Sequence, residues 1–455
     1  MNYPEDSIAV SMMDKYSLLD SVLAGIVNDW DLPGLSVGIT RADQTVYTRC
    51  FGVQSIVTSV PVDGDTVFCA SSVSKCFVAV AIMQLAERGR LEPDAPILRY
   101  LPDFYMDDKR FRQITVRHLL CHMSGLPDMD EDEYDVFLAA PEDGRDALRR
   151  YVDGLRHRRL ASAPGERFMY SNIGYNVLGH VIACVSGIPF EEYMQEQVLL
   201  PSGMRGSTFY FPQVQKARLA FPHIQTPALA VRPSYPYHRA DAPASFLHTT
   251  MPDMLSWCRV CLDRGQTCGQ QILSGAGYSR MWTPAAAWGF PPLYESMGLG
   301  WTLGHYRGVE TVSHGGMGLG WADFLTVLPQ RGGAAVLLCN AETPARSRII
   351  RALLDVILGQ APAAGTVSWV VPLTRAYSSG GIQAVYDTYR AIHQGSGYCF
   401  DPDDLVNLAH QLRSAGNEQA LKDFLTFCLS VCPDHPEALL MLRGRKSAGG
   451  GHADA

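Results

Sequence analysis

Lysine is scarce in this chain: six stand against 32 arginines in 455 residues. Basic charge is outweighed too, with a formal net charge of -8. No Lys/Arg cluster interleaved with aromatics occurs, so the electrostatic footprint of a nucleic-acid-binding protein is missing. No uninterrupted apolar run reaches the length of a transmembrane helix. The first residues, Met1-Asn2-Tyr3-Pro4-Glu5-Asp6, are acidic and lack both the basic and the apolar region of a secretory signal. With no signal and 12 cysteines, reduced thiols and a cytoplasmic location are expected. Neither nucleic acid nor membrane is expected as a partner.

Metal-binding patterns are incomplete. Cys258-x-x-Cys261 with Cys268 amounts to half a zinc site, and no second pair at metal spacing follows. Cys258 and Cys261 fall on the apolar face of the segment Met254–Leu262, where free thiols behave as small hydrophobes. His118 and His122 are spaced i,i+4, but no glutamate stands beside the first, as a zinc-protease helix requires; structural roles are expected. Asp128-Met129-Asp130-Glu131-Asp132-Glu133 lacks the central glycine and the spaced glutamate of a calcium loop and reads as a solvated acidic loop. No metal and no cofactor are expected.

What is present is a chain 47% hydrophobic and 18% charged, globular and long enough for two or three domains. Lys15–Trp30 reads as an amphipathic helix, with Leu18, Leu19, Val22, Leu23 and Ile26 on one face. Leu35–Ile39 and Thr45–Arg49 alternate as a hairpin. From Leu91 to about Pro284 the pattern is mostly helical, including a helix from Ile114 stopped by Gly125 and Pro127 and another over Gly174–Val185. Strands return after Gly300: Glu310–Ser313, Ala322–Pro329 and Gly333–Asn340. The glycines near His314 would let a substrate backbone lie close to a strand edge. A helix over Ala345–Leu358 closes this part.

A linker, Ala361-Pro362-Ala363-Ala364-Gly365, follows. Beyond it, Ser379-Gly380-Gly381-Ile382-Gln383-Ala384-Val385 recurs 36 residues later as Ala415-Gly416-Asn417-Glu418-Gln419-Ala420-Leu421. That period resembles a degenerate tetratricopeptide repeat. Leu405, Leu408, Leu412, Leu421, Phe424, Leu425 and Cys428 form an apolar stripe at helical spacing. Two repeat units bury little surface alone, so the stripe is expected to pack on the first domain, a second copy or a protein partner. The expected division is 1–360, with a helical subdomain at roughly 91–284, then 366–446, then a disordered tail over 447–455.

The chemistry centres on Phe68-Cys69-Ala70-Ser71-Ser72-Val73-Ser74-Lys75-Cys76-Phe77. Ser72 and Lys75 stand three apart at the head of the apolar helical run Phe77–Leu85, so the lysine amine can reach the serine hydroxyl. A serine hydroxyl needs an adjacent base to act as a nucleophile at neutral pH. A lysine supplies one when desolvation or a nearby charge favours its neutral form. Lysines rarely enter buried helices without a reason, and no other lysine here follows a serine at this spacing. Downstream lie Tyr170-x-Asn172, before a helix, and His314-x-Gly316. Each alone reads equally as an ordinary core or capping arrangement.

The ordered set Ser72-x-x-Lys75, Tyr170-x-Asn172 and His314-x-Gly316 resembles the serine β-lactamase and penicillin-binding-protein superfamily, most closely its class C β-lactamase and esterase branch. His118-Leu119-Leu120 through Ser124-Gly125-Leu126-Pro127 fits the resemblance as well, which covers roughly residues 15–358. It implies an α/β (α+β) fold of β-lactamase/transpeptidase type: a mainly antiparallel sheet flanked by helices, an inserted all-helical subdomain, and here an all-α C-terminal extension. It implies Ser72 as the acylated nucleophile, with Lys75 and Tyr170 sharing proton transfer. Asn172 would hold Lys75 and the substrate amide. The backbone N–H groups of Ser72 and Met317 would form the oxyanion hole, with His314 and Gly316 on the substrate-binding strand. Two departures stand out. The third motif begins with His314 rather than lysine, and a neutral imidazole anchors a carboxylate poorly. Ala244-Ser245 replace paired glycines. The implied function is a serine hydrolase or acyltransferase acting on an ester, thioester or amide, with a β-lactamase and a non-catalytic scaffold as alternatives.

Overall fold

The computed structural model describes residues 12–443 apart from 42–43, 140–141, 226–228, 268–269, 291 and 364. The expected tail, Cys268 and the first eleven residues lie outside the described residues. In chain order the main elements are α1 (Met12–Asp29), β1 (Gly34–Arg41), β2 (Gln44–Gly52), α2 (Ser74–Glu87), α3 (Asn172–Ser186), α4 (Met251–Leu262), β3 (Ala286–Phe290), β4 (Tyr294–Met297), β5 (Thr302–Tyr306), β6 (Val309–Gly318), β7 (Trp321–Leu328), β8 (Gly333–Cys339), α5 (Arg346–Ile357), α6 (Val370–Ile392), α7 (Pro402–Ser414), α8 (Glu418–Val431) and α9 (Pro436–Leu442).

The strands form one antiparallel sheet in the order β2-β1-β8-β7-β6-β5-β4-β3. Its central strands β7 and β8 are buried throughout and mostly apolar because both faces are covered, the circumstance that gives near-continuous hydrophobic runs. On β7, Ala322, Phe324 and Leu328 join the core beneath α1 and α5, while Trp321, Leu325 and Val327 join the core with α2, α3 and α4. A side-chain period of two sorts the strand between these layers. Gly38 of β1 gives α4 room to approach: a Cβ there would stand 2.8 Å from the Leu255 side chain.

Three local expectations need correction. Strands of the sheet return at Ala286, before Gly300; β3 is largely exposed, so no apolar alternation marks it. The helix expected over residues 114–127 is an α-turn at Val116–Leu120, because the chain turns left-handed at His122 (φ 57°). Leu18 is solvent-exposed, whereas Leu19, Leu23 and Ile26 are buried. Cys258 and Cys261 lie buried in the main core, as their apolar setting suggested.

The C-terminal helices are paired around glycine breaks. Gly381 takes φ 63° and interrupts α6, and Gly416 takes φ 69° between α7 and α8. The expected interface stripe is not an interface. Leu405, Leu408, Leu412, Leu421, Phe424, Leu425 and Cys428 are buried in the helices' own core with Trp369 and Leu373. Contact with the sheet domain is made elsewhere. Val371 joins the core beneath α1 and α5, and the Arg375 guanidinium grips Asp31 at 2.6 Å.

Candidate active site

Ser72 sits in a single 3₁₀ turn, Ser71–Val73, that leads directly into α2. α2 is apolar all round and buried along nearly its whole length, as a central helix must be. The turn is strained: Ser71 has φ 43°, a region sparsely occupied by residues other than glycine. Its hydroxyl donates to Asp323 Oδ2 on β7 at 2.8 Å. Ser74 Oγ donates to Ser71 O at 2.6 Å and accepts from Leu247 N at 2.9 Å. Gly316 of β6 completes the clamp. A Cβ there would stand 2.7 Å from Ser71 Cβ and 2.9 Å from Ser72 N. The glycine thus clears the serine turn itself, a reason beyond the substrate approach expected from the sequence.

Lys75 is fully buried, with 0% of its surface exposed. Its Nζ lies 2.9 Å from Ser72 Oγ, 2.7 Å from Asn172 Oδ1 and 2.9 Å from Ala244 O. The last partner lies in the short buried helix Ala242–Ser245, where Ala244-Ser245 depart from the paired glycines. Nζ is 4.9 Å from the centre of the Tyr170 ring. Asn172 opens α3, whose N-cap Ser171 accepts from Gly174 N. Its amide is oriented from both ends: Oδ1 accepts from Lys75, while Nδ2 and the backbone N donate to Asp128 Oδ2 at 2.7 and 3.1 Å.

Asp128 is therefore not part of a solvated acidic loop, as its sequence setting predicts, but a partner of Asn172. It faces the head of α3, where an anion is favoured by the helix dipole and free N–H groups. Burial pushes its carboxyl up, opposed by the Asn172 backbone bond and the Lys75 charge. Burial pushes the Asp323 carboxyl well above the ordinary carboxyl range. Its position beneath Ser71 has no local sequence signal.

Tyr170 is held by His122, whose ring stacks on it at 4.2 Å and 25°. His122 Nδ1 accepts from Ser171 N at 3.1 Å, and burial, then the Lys75 charge, push this imidazole well below its ordinary value. It is thus neutral and works as a stacking support. His118 caps its own short helix through Thr115. The two histidines form no common metal face.

His314 is 2% exposed, and its Nδ1–H donates to Gly315 O at 2.7 Å. Burial, then the Lys75 charge, lower its pKa to about 3, so it carries no positive charge at neutral pH. The last β5–β6 pair is Thr302↔Ser313, which leaves His314–Gly318 open on that edge. Met317, on this open stretch, lines with Ser72 and Asn172 a cleft of about 220 Å³. The structure thus brings Ser72, Lys75, Tyr170, Asn172, Gly316 and Met317 together, and sets His314 behind them as a buried neutral group.

This arrangement is that of an S-x-x-K serine site on an antiparallel sheet. The chain matches the Beta-lactamase family over residues 19–360, and it belongs to that family. It is 27% identical over 339 residues to "Penicillin-binding protein 4" of Amycolatopsis lactamdurans, covering 72% of this chain and 86% of that protein. It is 26% identical over 372 residues to "Unguisins hydrolase ungD'" of Aspergillus campestris (strain IBT 28561), covering 76% of this chain and 66% of the relative. The chain spans about half the length of several other curated relatives that it matches. Among solved structures, the octameric penicillin-binding protein homologue from Pyrococcus abyssi aligns with a TM-score of 0.65 at 24% identity, covering 76% of this chain and 78% of that one. That likeness concerns the fold.

Proposed function

We propose that this chain is a serine hydrolase or acyltransferase that works through an acyl-enzyme on Ser72, with an ester, thioester or amide as acyl donor. The observation that carries the reading is the fully buried Lys75 amine 2.9 Å from Ser72 Oγ. A neutral amine has two N–H groups and one lone pair. Nζ is placed against Ser72 Oγ, Asn172 Oδ1 and Ala244 O; on giving up a proton it would keep N–H groups for Asn172 and Ala244 and turn its lone pair to the Ser72 hydroxyl. Ser72 Oγ then attacks the donor carbonyl, and its proton passes to Lys75 or Tyr170. Charge developing on the carbonyl oxygen is met by the backbone N–H groups of Ser72 and Met317. Collapse breaks the bond to the leaving group, which takes up the proton, and Ser72 is left as an ester. Water or another nucleophile then releases the acyl group.

Family membership and a relative named as a hydrolase support this class of reaction. The neutral, buried His314 supports donors other than those needing a cationic anchor on β6. The test is intact-protein mass spectrometry after exposure to a fluorophosphonate. A single adduct mapped to Ser72 is expected; an adduct that persists in Ser72→Ala, or no adduct at all, overturns the reading.

A further inference from the structure

The Ser72 cleft is completed by a part of the chain outside the family match, which ends at residue 360. Gln411 and Ser414, on α7, line the same cleft as Ser72 and Asn172. α7 is held there as a packed wall. Its Leu405, Leu408 and Leu412 are buried in the C-terminal core. His410 Nε2 lies 2.9 Å from Glu437 Oε1 on α9, and α7 lies against the strand His223–Gln225 of the first domain.

A further, smaller cavity of about 50 Å³ lies where the two regions meet. Trp30, Leu32, Leu229, Val371 and Leu408 give it an apolar lining. Gln411 lines both this cavity and the Ser72 cleft. Residues three apart share one face of a helix. Along one face of α7, Leu408 therefore borders the small cavity, Gln411 borders both spaces, and Ser414 borders the cleft. The Gln411 side chain stands where one space gives way to the other.

The body of the cleft suits an apolar group, since Met129, Ile224, Phe246, Leu319 and Trp321 line it. Its size sets a limit. An apolar cavity of about 150 Å³ holds a benzene molecule. On that scale the cleft of about 220 Å³ takes roughly nine carbon atoms, and the small cavity of about 50 Å³ roughly two more. We propose that α7 is the end wall of the substrate cleft, with Gln411 as the stop that limits the apolar group of the substrate to roughly nine carbons. This inference rests on the acyl-enzyme reading of Ser72.

The test reads kcat/KM of the full chain along two ester series. p-Nitrophenyl alkanoates, from acetate to tetradecanoate, lengthen the acyl side. Alkyl acetates, from ethyl to tetradecyl, lengthen the leaving side. In the wild type one series should fall about tenfold once the chain passes the stop, because overfilling a packed site is costly. Gln411→Ala should move that fall to chains longer by about two carbons or more, because the shortened side chain joins the two spaces. Gln411→Met keeps the bulk and should leave the fall in place. Ser414→Trp adds bulk on the same face and should move it to shorter chains. Fluorophosphonate labelling of Ser72 is followed in every variant, so that a misfolded protein is recognised. A wild type with no fall in either series overturns the stop alone, as does a fall unmoved by Gln411→Ala and Ser414→Trp in variants that still label. A Gln411→Met profile shifted like that of Gln411→Ala also overturns it, since lost hydrogen bonds and not size would then set the limit. Failure of the wild type to label at Ser72 overturns the acyl-enzyme reading and the stop with it.

Discussion

The sheet domain and the C-terminal helices use burial differently. In the sheet domain Lys75, Asp241 and Asp323 are buried with polar partners beside the apolar core. The C-terminal core is built from Leu405, Leu408, Leu412, Phe424 and Phe427, and its Arg375–Asp31 tie to the first domain is half-exposed. An unpaired buried charge costs several kcal/mol. A polar cluster like that around Lys75 persists only where each group finds a partner, which is how reactive groups are kept in place. The C-terminal helices add His410, Gln411, Arg413 and Ser414 to the cleft wall.

The contrast is broken most directly at Ser72. Ser72→Ala should remove covalent labelling and turnover completely while thermal unfolding stays close to wild type, because only a hydroxyl is lost. Next in size, Lys75→Ala and Tyr170→Phe should each slow acylation by about 10²–10⁴, the usual worth of general-base catalysis. Stopped-flow acylation with an unactivated ester checks this, and near-normal rates would remove that residue from the proton path. Asp128→Asn should slow acylation by about 10–100-fold, the worth of a hydrogen bond to a charged group, since it replaces an acceptor of the Asn172 amide with a group that can present a donor.

Asp241 offers a test of stability rather than rate. It accepts from Asn176 Nδ2 at 2.7 Å and from the Tyr134 hydroxyl at 2.8 Å, and burial raises its pKa to about 6. The folded protein then binds this proton more tightly than the unfolded chain, whose aspartates titrate near 4. Stability from this group is present below about pH 4 and is lost as pH rises through about 6. Asp241→Asn should flatten the fall in Tm between those values; an unchanged Tm profile would remove Asp241 as its source. The smallest effect belongs to the C-terminal helices. Arg375→Ala breaks a half-exposed ion pair and should cost only about 0.2–1 kcal/mol in denaturant unfolding. A larger loss would show that the two regions unfold as one unit held by that contact.

Much of this molecule was legible in short stretches. Mostly apolar runs at Ala322–Leu328 and Gly333–Cys339 mark central strands because both sheet faces are covered. Ser72 and Lys75 needed only helical spacing, and Tyr170-x-Asn172 only its place before α3. Partners far along the chain were not legible. Asp128 meets Asn172 across 44 residues, and Ser71 meets Asp323 across 252. The exposed edge strand β3 carries no alternating pattern.

From its sequence alone the serine–lysine pair and the main strands and helices followed, because helical and strand periods act between near neighbours and leave a local trace, and the family-type fold followed from the resemblance that the ordered motifs carry. Tertiary structure alone decided that His314 is buried and neutral, that Asp128 orients Asn172, that the C-terminal stripe closes on itself, and that α7 walls the cleft. Each depends on which distant surfaces meet when the core packs, and burial, charge balance and cleft shape arise only from that meeting.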